Sequence, residues 1–466
     1  MHDDGPVTKE GILSLFNLED KALDSVSCAN EDGMMRVNVQ LARKNEPCPS
    51  CGSFNSRVKD YHVRRLTHSA LSDRKCVLFY NARRYLCKDC GRSFMEHNPF
   101  CFGGMTISAL TVKNVLEDLK KPTETFSSVA ERYHISPASA AYIFDQHVMI
   151  PRHALPEIIC IDEVFAFHSE YSRFVCLMLD FETGKPVDAL NSRRLDVLES
   201  YFLSIPLEER DKVKGVCSDM YEAYRTVTQK YFRFAKHYVD HFHLVQELSR
   251  QVDHVRIRVM KGCEKNSDEY YILKHFNWIL YKPSDEKAKD GKPLFDPGRE
   301  RRYNNHYKAY LNFYELREKL LSTSPDLLEA WKLKEDVYDF YQTCTPENGI
   351  AEIDGLIARF ANSNIAEMAH FGKTMKKWKT SIVNSLAIYG YAYKVEKGTG
   401  QVAARQLRIT NSIIEGRNKI AKELKNNANG YRCWERFRNR LMYVLDKDAT
   451  FSLSPIQRNG AKGGAE

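Results

Sequence analysis

The sequence predicts a multidomain α/β protein, and three observations support that prediction. The chain has 466 residues, enough for about three ordinary domains. Two Cys-x-x-Cys pairs come early, short apolar runs follow between residues 157 and 217, and the stretch from about residue 262 to 393 has helical spacing. We therefore expect a cysteine-rich N-terminal region, then a mixed sheet, then a largely helical region.

Composition narrows the class of protein. No apolar run approaches the roughly 18 residues needed to cross a bilayer. The first residues, MHDDGPVTKE, are polar, unlike a signal peptide. The odd number of cysteines, thirteen, favours a reducing compartment and a metal over a set of disulfides. These features predict a cytoplasmic protein rather than a membrane-spanning or disulfide-rich secreted one.

Basic residues are concentrated in two distant regions, although the net charge is only +8. Residues 36–97 contain thirteen Lys and Arg against five Asp and Glu, and residues 405–440 contain ten against three. Such a local excess indicates an extended polyanion as the partner. The alternative is that both regions are solvated basic faces.

The most specific local signal is the pair of motifs CPSCG and CKDCG. Each places two thiolates on a tight turn, and the glycine that follows relieves the backbone strain of that turn. Two such turns supply the four soft ligands of a closed tetrahedral zinc site. We expect a zinc ribbon over residues 47–98, preceded by a leader of unknown role at 1–46. The predicted ligands are Cys48, Cys51, Cys87 and Cys90. Rival ligands, each more often structural or exposed, are His62, His68, His97, Cys76 and Cys101.

A helix-turn-helix pattern follows the ribbon, after a helix expected near residues 106–120. One helix is expected to end near Tyr133, and Ser136 and Pro137 open a second as N-cap and first helical residue. The second helix would present Ser139 and Tyr142 to a DNA major groove. We therefore predict a DNA-binding domain over residues 99–152. Many helical hairpins share this pattern, which is the alternative.

Two aspartates stand where apolar strands end. Asp162 interrupts the run EIICIDEVFAF, and Asp219 follows the run VKGVC. Burying a carboxylate there without a partner would cost free energy. As a ligand it would be well placed, because the binding sites of open sheets lie at strand ends. Either aspartate could instead cap a helix or a turn. Asp240 and His243 follow a further short strand and are expected to support the structure more often than to bind a ligand.

A later helix, within residues 409–441, offers a third carboxylate. Helical spacing places Ile414, Ala421 and Leu424 on one side. The polar side carries Asn411, Glu415, Asn418 and Lys422. The alternative is a solvated helix in which Ser412 and Glu415 form a capping box. The basic stretch GKTMKKWKT, residues 372–380, is a further candidate as a DNA-contacting turn.

Together these motifs resemble the insertion-sequence DDE transposases of the ISL-three family. The resemblance covers nearly the whole chain from Pro47 to about Val444. It is carried by CPSCG, RRYLCKDCGRSF, ICIDE, CSDMYEAY, VDHFHLV and IIEGRNKIAKELKNNANGYRCWERFRNRL. It implies a ribonuclease-H-like catalytic domain over residues 153–261 and 401–445, interrupted by an all-α insertion at 262–400. Residues 446–466 are expected to be a disordered tail.

The resemblance also implies a chemistry. Asp162, Asp219 and Glu415 would hold two Mg²⁺ or Mn²⁺ ions for DNA strand cleavage and strand transfer, beside one structural Zn²⁺. The partners would be the inverted-repeat ends of the element and target DNA, bound by a homo-oligomer at the nucleoid of a prokaryotic cytoplasm. Lys422 would contact end phosphate. The residues expected to add nonspecific backbone contacts are Arg436, Arg438 and Arg440, and those expected to support the site are Asp240, His243 and Asn418.

Two other functions fit part of the pattern. One is a catalytically inactive zinc-ribbon and helix-turn-helix regulator, against which the retention of all three acidic residues argues. The other is a structure-specific nuclease of the same fold, which would cut without joining. A nuclease that reads branched DNA has no obvious need for sequence-reading domains.

Overall fold

The computed structural model describes residues 13, 18, 23–69, 71, 74–102, 105–168, 172–395 and 402–454. No helix in these ranges is both long enough and apolar enough to cross a membrane. The chain divides into two compact units. The first consists of Met1–Arg152, Phe165–Phe174 and Lys419–Glu466, and the second of His153–Val164 and Val175–Asn418. Most of the predicted tail, residues 455–466, lies outside the described ranges.

The first unit begins with a five-stranded sheet. Its strands are β1 (Leu23–Glu31), β2 (Met34–Leu41), β3 (Ser56–Thr67), β4 (Cys76–Cys87) and β5 (Ser93–Met95). The order is β1-β2-β4-β3, with β5 also paired to β4. β2 runs parallel to β4, and the other neighbours are antiparallel. One face is apolar and buried, with Val37, Val39 and Leu78 at its centre.

The hairpin of β1 and β2 differs from the leader of unknown role that the sequence predicts for residues 1–46. Asp32 and Gly33 connect the strands with φ angles of 50° and 74°. This is the conformation of a two-residue primed turn, whose twist matches that of a hairpin. Because β2 also pairs with β4, residues 23–41 belong to the same sheet as the ribbon.

Three helices complete the N-terminal part of the first unit: α1 (Ala109–Asp118), α2 (Phe126–Arg132) and α3 (Pro137–His147). Thr125 and Ser128 form a capping box at the start of α2. Ser136 accepts a hydrogen bond from the Ser139 backbone N–H at the start of α3. Small Ala130 is buried in α2. The two helices thus occupy the ranges that the sequence predicts for them.

The second unit contains a mixed sheet. Its strands are β6 (Ile158–Val164), β7 (Val175–Asp180), β8 (Pro186–Leu190), β9 (Gly215–Ser218) and β10 (Lys236–Val239). Their order is β10-β9-β6-β7-β8. β6, β7 and β8 are antiparallel neighbours, whereas β9 runs parallel to both β6 and β10. The connecting helices are α4 (Leu195–Leu203), α5 (Leu207–Arg210) and α6 (Glu222–Tyr231).

A helical region follows the sheet and packs around a large apolar cluster. It contains α7 (His241–Lys261), α8 (Asp268–His275), a 3-10 helix (Asn277–Tyr281), α9 (Phe313–Leu321), α10 (Pro325–Thr343), α11 (Pro346–Ala361) and α12 (Ala366–Asn384). Two hairpins interrupt it: β11 (Arg302–Asn304) with β12 (Ala309–Leu311), and β13 (Ile388–Val395) with β14 (Val402–Arg408). The prediction of an all-α insertion is therefore wrong at these two places.

The stretch GKTMKKWKT is part of α12 and not a turn. Gly372 lies in that helix where it crosses α11, and a Cβ atom on it would meet the Phe360 Cβ at 3.0 Å. The glycine therefore permits close helix packing and does not break the helix. Trp378 is 3% exposed, so it belongs to the core and is not available to stack on a base.

The last two helices are α13 (Ser412–Asn427) and α14 (Trp434–Leu445). α14 packs against the N-terminal helices of the first unit. The ring centroids of Tyr443 and Phe144 are 6.0 Å apart, and the Tyr443 hydroxyl donates to the Leu116 carbonyl oxygen at 3.1 Å. The sequence places residues 401–445 with the catalytic domain, whereas residues 419–445 group with the N-terminal unit.

Candidate active site and zinc centre

The four cysteines of the two Cys-x-x-Cys motifs form one cluster. Their Sγ atoms all lie within 4.8 Å of one another. The Sγ atoms of Cys48 and Cys90 are 3.6 Å apart, as are those of Cys51 and Cys87. Within the described ranges, no rival histidine or cysteine belongs to this group. A closed set of four thiolates fits a structural zinc ion.

Backbone turns bring the cysteines together. The Gly52 N–H donates to the Cys48 carbonyl oxygen at 2.8 Å, and the Gly91 N–H donates to that of Cys87 at 3.1 Å. Both glycines have φ near 70°, at 73° and 71°, a conformation that costs glycine little. Asp89 joins the two turns, because its carboxylate accepts hydrogen bonds from Ser53 and Asn55. The sheet, with Cys87 at the end of β4, sets their separation.

The two candidate aspartates lie at one edge of the second sheet. Asp162 is in β6, and Asp219 directly follows β9. Cys160 on β6 pairs with Cys217 on the adjacent parallel strand β9. Asp162 lies two residues after the first of these cysteines, and Asp219 lies two residues after the second. Asp162 is 8% exposed. The sheet thus brings the two carboxyl groups to the same level without any local sequence signal linking them.

Burial raises the pKa of both carboxyl groups. The pKa of Asp162 is raised to about 6, first by burial and next by the nearby Glu163 carboxylate. That of Asp219 is raised to about 7 by burial, by Glu163 and by Asp162. The cause is desolvation together with repulsion between like charges. A divalent cation would offset both effects, so this set of hard oxygen donors fits one.

The polar side of α13 lies against β6. The Asn418 Nδ2 donates to the Asp162 Oδ2 at 2.7 Å, and the Asn411 Nδ2 donates to the Ile161 carbonyl oxygen at 2.9 Å. Both asparagines are buried, and within the described part of the chain their Oδ1 atoms have no hydrogen-bond partner. The polar side of α13 is therefore partly a packing surface.

Glu415 lies one turn before Asn418 on the same side of α13 and is exposed. The carboxylates of Asp162, Asp219 and Glu415 are not gathered within 4.8 Å of one another in the described structure. The helix begins at Ser412, so Ser412 is not its cap. The Ser412 hydroxyl instead lies 3.0 Å from the Thr410 hydroxyl. The two aspartates are thus brought together, and Glu415 lies on the neighbouring helix.

Asp240 and His243 lie at the start of α7. The Asp240 Oδ1 accepts from the Phe242 N–H at 3.2 Å, so Asp240 caps the helix, as the structural alternative predicts. The His243 Nε2 lies 3.9 Å from the Asp240 Oδ2. His243 also lowers the pKa of both Asp162 and Asp219, against the larger effect of burial.

Two residues near the aspartates are absent from the sequence prediction. Glu163 accepts hydrogen bonds from the Arg193 guanidinium and, at 3.1 Å, from the Tyr224 hydroxyl. The acidic doublet in ICIDE is the signal that could have identified it. His237 is buried, with its Nε2 2.9 Å from the Ser218 Oγ and its Nδ1 3.0 Å from the Ser381 Oγ. It therefore joins the strand end before Asp219 to α12.

The predicted DNA-contacting residues differ in accessibility. Ser139 is half-buried, Tyr142 is 56% exposed and Lys422 is exposed. Arg436 pairs with Asp145 at 2.6 Å, and Arg438 donates to the Ile150 carbonyl oxygen at 2.9 Å.

Arg440 cannot make the predicted DNA contact. It is fully buried and donates to the carbonyl oxygens of Lys121 and Glu124. A guanidinium in this position stabilises the loop before α2 and does not reach phosphate. The prediction is wrong because the sequence does not show which face of α14 packs against other helices.

Comparison with known proteins identifies the family of the chain. A transposase family model of the ISL3 type matches residues 159–393, which include both aspartates and end before Glu415. A second model, for the zinc finger of the transposases of IS204, IS1001, IS1096 and IS1165, matches residues 44–90. This range contains all four cysteines of the cluster and ends at Cys90. The transposase for insertion sequence element IS1001 of Bordetella parapertussis is 21% identical over 396 residues, covering 84% of this chain and 86% of that protein. With half of its length matched by the family model, the chain belongs to the ISL-three family of DNA transposases.

Proposed function

We propose that the chain cuts and joins the DNA ends of its own insertion sequence, with Asp162, Asp219 and Glu415 as the ligands of two divalent cations. The observation that carries this proposal is the pair of aspartates at one sheet edge, buried Asp162 on β6 and half-buried Asp219 directly after β9, at the same level of the sheet. Two carboxyl groups withdrawn from water side by side are costly unless a cation or a proton offsets their charge. Phosphodiester transfer requires such a cation site.

The topology supports a ribonuclease-H-like catalytic domain. Three antiparallel strands, β6 to β8, are extended on the β6 side by the parallel strands β9 and β10. The first and fourth strands are neighbours, so residues from both meet at one edge. The helical region between β10 and α13 is the insertion that separates Glu415 from the sheet in sequence.

The residues around the aspartates have separable tasks. When bound, the two cations would activate the attacking water or 3′-hydroxyl and stabilise the leaving oxygen. Asn418 orients the Asp162 carboxylate through its 2.7 Å hydrogen bond. Arg193 and Tyr224 engage Glu163, which limits the negative charge beside the site. The exposed Glu415 lies on the same side of α13 as Asn418 and is accessible to a cation and to DNA.

DNA recognition falls to the first unit in this proposal. The zinc ribbon, held by one structural Zn²⁺, and the helix pair α2 and α3 would recognise the inverted repeats. Tyr142 and Ser139 lie on α3, and exposed Lys422 would contact end phosphate. The protein would act as a homo-oligomer on its two ends and the target DNA, at the nucleoid of a prokaryotic cell.

The test uses Asp162→Asn, Asp219→Asn and Glu415→Gln with a duplex taken from the DNA beside the coding region. Each substitution should abolish Mg²⁺-dependent cleavage and joining while end binding in Ca²⁺ stays close to that of the unmodified chain, because a ligand charge is lost without a change in shape. Glu423→Gln, about two turns beyond Glu415 on α13, and Asp196→Asn, on the exposed start of α4, are controls of the same charge change and should keep activity.

The outcomes separate the alternatives. A residue whose variant cleaves at the normal rate loses its assignment as a ligand. If the unmodified chain binds ends but never cuts in Mg²⁺ or Mn²⁺, the inactive regulator is correct. If it cuts but never joins, the nuclease is correct.

A further inference from the structure

The N-terminal sheet has an open face on the side away from its apolar core. The register defines a row of side chains across four strands: Ser27 on β1 pairs with Asn38 on β2, which pairs with Phe79 on β4, which pairs with Arg65 on β3. Paired residues lie on the same side of a sheet. The open face is defined here by this row together with Arg36 and Asn81, which alternate onto the same side.

Two arginine guanidinium groups lie over one aromatic ring on this face. The Arg36 guanidinium lies 4.3 Å from the centroid of the Phe79 ring, and that of Arg65 lies 5.8 Å from the same centroid. Arg36 is further oriented by Asn38, whose Oδ1 accepts from its Nε at 3.0 Å, and by exposed Glu31. Arg65 is exposed and has no ion pair within the described ranges. The guanidiniums are therefore ordered and still accessible.

A groove of about 240 Å³ crosses the open face. Its lining includes Ser27, Arg36, Asn38 and Asn81 and contains no carboxylate. Hydroxyl, amide and guanidinium groups are the donors that bind phosphate and sugar in protein–DNA complexes. Basic residues on an edge strand such as β3 can instead guard against aggregation. That role does not explain Arg36, which lies on an inner strand and faces the groove.

We propose that the open face binds the sugar-phosphate backbone of duplex DNA, and that the β1–β2 hairpin completes this binding surface. The zinc-finger family model begins at residue 44, so the hairpin adds Ser27, Arg36 and Asn38 to what the ribbon alone offers. This inference rests on the proposed function for the identity of the DNA as an element end. It assigns to the ribbon sheet a contact separate from those of α3.

The experiment is a fluorescence titration of the full, zinc-loaded chain with two duplexes, one taken from beside the coding region and one of random sequence, over a range of salt concentrations. The double variant Arg36→Gln, Arg65→Gln should bind both duplexes roughly 10- to 100-fold more weakly at physiological salt. The slope of log affinity against log salt should fall by about 2, because each phosphate contact contributes about 0.9. The preference between duplexes should persist, since backbone contacts carry no sequence information.

A matched control lies on the same strand. Arg64 is exposed like Arg65 but pairs with Tyr80, whose side chain is in the core on the opposite side of the sheet. Arg65→Gln alone should lower the salt slope by about 1, and Arg64→Gln should leave it unchanged. Equal losses from the two variants would show general attraction to a basic strand and overturn the proposal.

Other outcomes also decide the question. Asn81→Asp, which adds a negative charge to the open face without removing an arginine, should weaken binding to both duplexes, and zinc content confirms that each variant is folded. An unchanged salt slope in the double variant, or a change in oligomeric state alone, would overturn the proposal in favour of a protein-binding face. A chain that binds DNA through this face but never cleaves it would instead count against the proposed function.

Discussion

The zinc centre and the acidic site are both sets of ligands gathered from distant parts of the chain, yet they differ in how they are held. The four cysteine Sγ atoms lie within 4.8 Å of one another, whereas Asp162, Asp219 and Glu415 do not. Each pair of cysteines is fixed by its own backbone turn. Each carboxylate comes from a different element: β6, the end of β9, and α13.

The difference follows from charge and from what each site must do. A structural zinc site is closed and is part of the fold. A site that binds DNA phosphate must leave room for it and for water. Burial, and after it the like charge of Glu163, raises the pKa of both Asp162 and Asp219, so the ionised form of each carboxyl group is disfavoured without a cation. The four cysteines of the first site are therefore gathered in the protein alone, whereas in our proposal the second site is completed by its cations and substrate.

The largest expected effect is loss of the zinc centre. Cys87→Ser combined with Cys90→Ser removes two of the four ligands, and zinc per chain, measured by metal analysis, should fall from one to none. Because roughly 10 kcal/mol of metal binding is coupled to folding in small zinc domains, protease digestion should then cut within β1 to β5. Cys28→Ser with Cys101→Ser, outside the cluster, should retain the zinc. Undiminished zinc in the Cys87 and Cys90 variant would disprove the ribbon assignment.

An intermediate effect is expected at the acidic site. Asn418→Leu removes the hydrogen bond to the Asp162 Oδ2, which should slow cleavage roughly 10- to 100-fold and raise the Mg²⁺ concentration needed for half the maximal rate. Asn411→Leu removes a comparable bond to the Ile161 carbonyl oxygen. It should cost about 1–3 kcal/mol of stability without altering the Mg²⁺ dependence. If the two variants behave alike, Asn418 has only a structural role.

The sequence could predict the zinc ligands, since their spacing and the following glycines encode both turns. It could also place Asp162 and Asp219 at strand ends, because apolar runs end there. It could not show that Asn411 and Asn418 face β6, because burial of an amide depends on a partner about 250 residues away. Asp32 and Gly33 form an Asp-Gly pair, which is a hairpin signal in the sequence, although the prediction of a leader of unknown role at residues 1–46 does not include a hairpin.

Helix faces were the least predictable feature. Arg440 was assigned to DNA by its charge, but its burial follows from the packing of α14 on α1 and α3. The basic stretch at residues 372–380 is predicted as a DNA-contacting turn, but it is helical, and its Gly372 allows α11 and α12 to approach closely. In both cases the residue type was compatible with two environments, and only the tertiary neighbours distinguish them.

The smallest expected effect is a pH dependence at His237. Burial lowers its pKa to about 4, whereas the unfolded chain binds a proton near pH 6.5. Between these values the unfolded state binds more protons, so this stabilising contribution is complete above pH 6.5 and is lost as pH falls towards 4. The loss should be about 1 kcal/mol at pH 6 and about 2 kcal/mol at pH 5.

The measurement is thermal unfolding of the unmodified chain and of His237→Gln over that pH range, without zinc removal. The variant should show the weaker dependence on pH, since glutamine does not titrate. Identical slopes would mean that His237 is not held neutral between Ser218 and Ser381.

The parallel pairing of β2 with β4 has a consequence for synthesis of the chain. β2 leaves the ribosome well before β4, and until β4 appears β1 is its one partner among the described strands. An isolated two-stranded hairpin is marginally stable in water, and its apolar side chains Val37 and Val39 then lack the part of their cluster that β4 supplies, including Leu78. β4 ends at Cys87, so the strand that receives the hairpin and the ligand that begins the second half of the zinc site are translated together. We therefore expect pairing of the hairpin with β4 and assembly of the zinc site to occur at the same stage of synthesis.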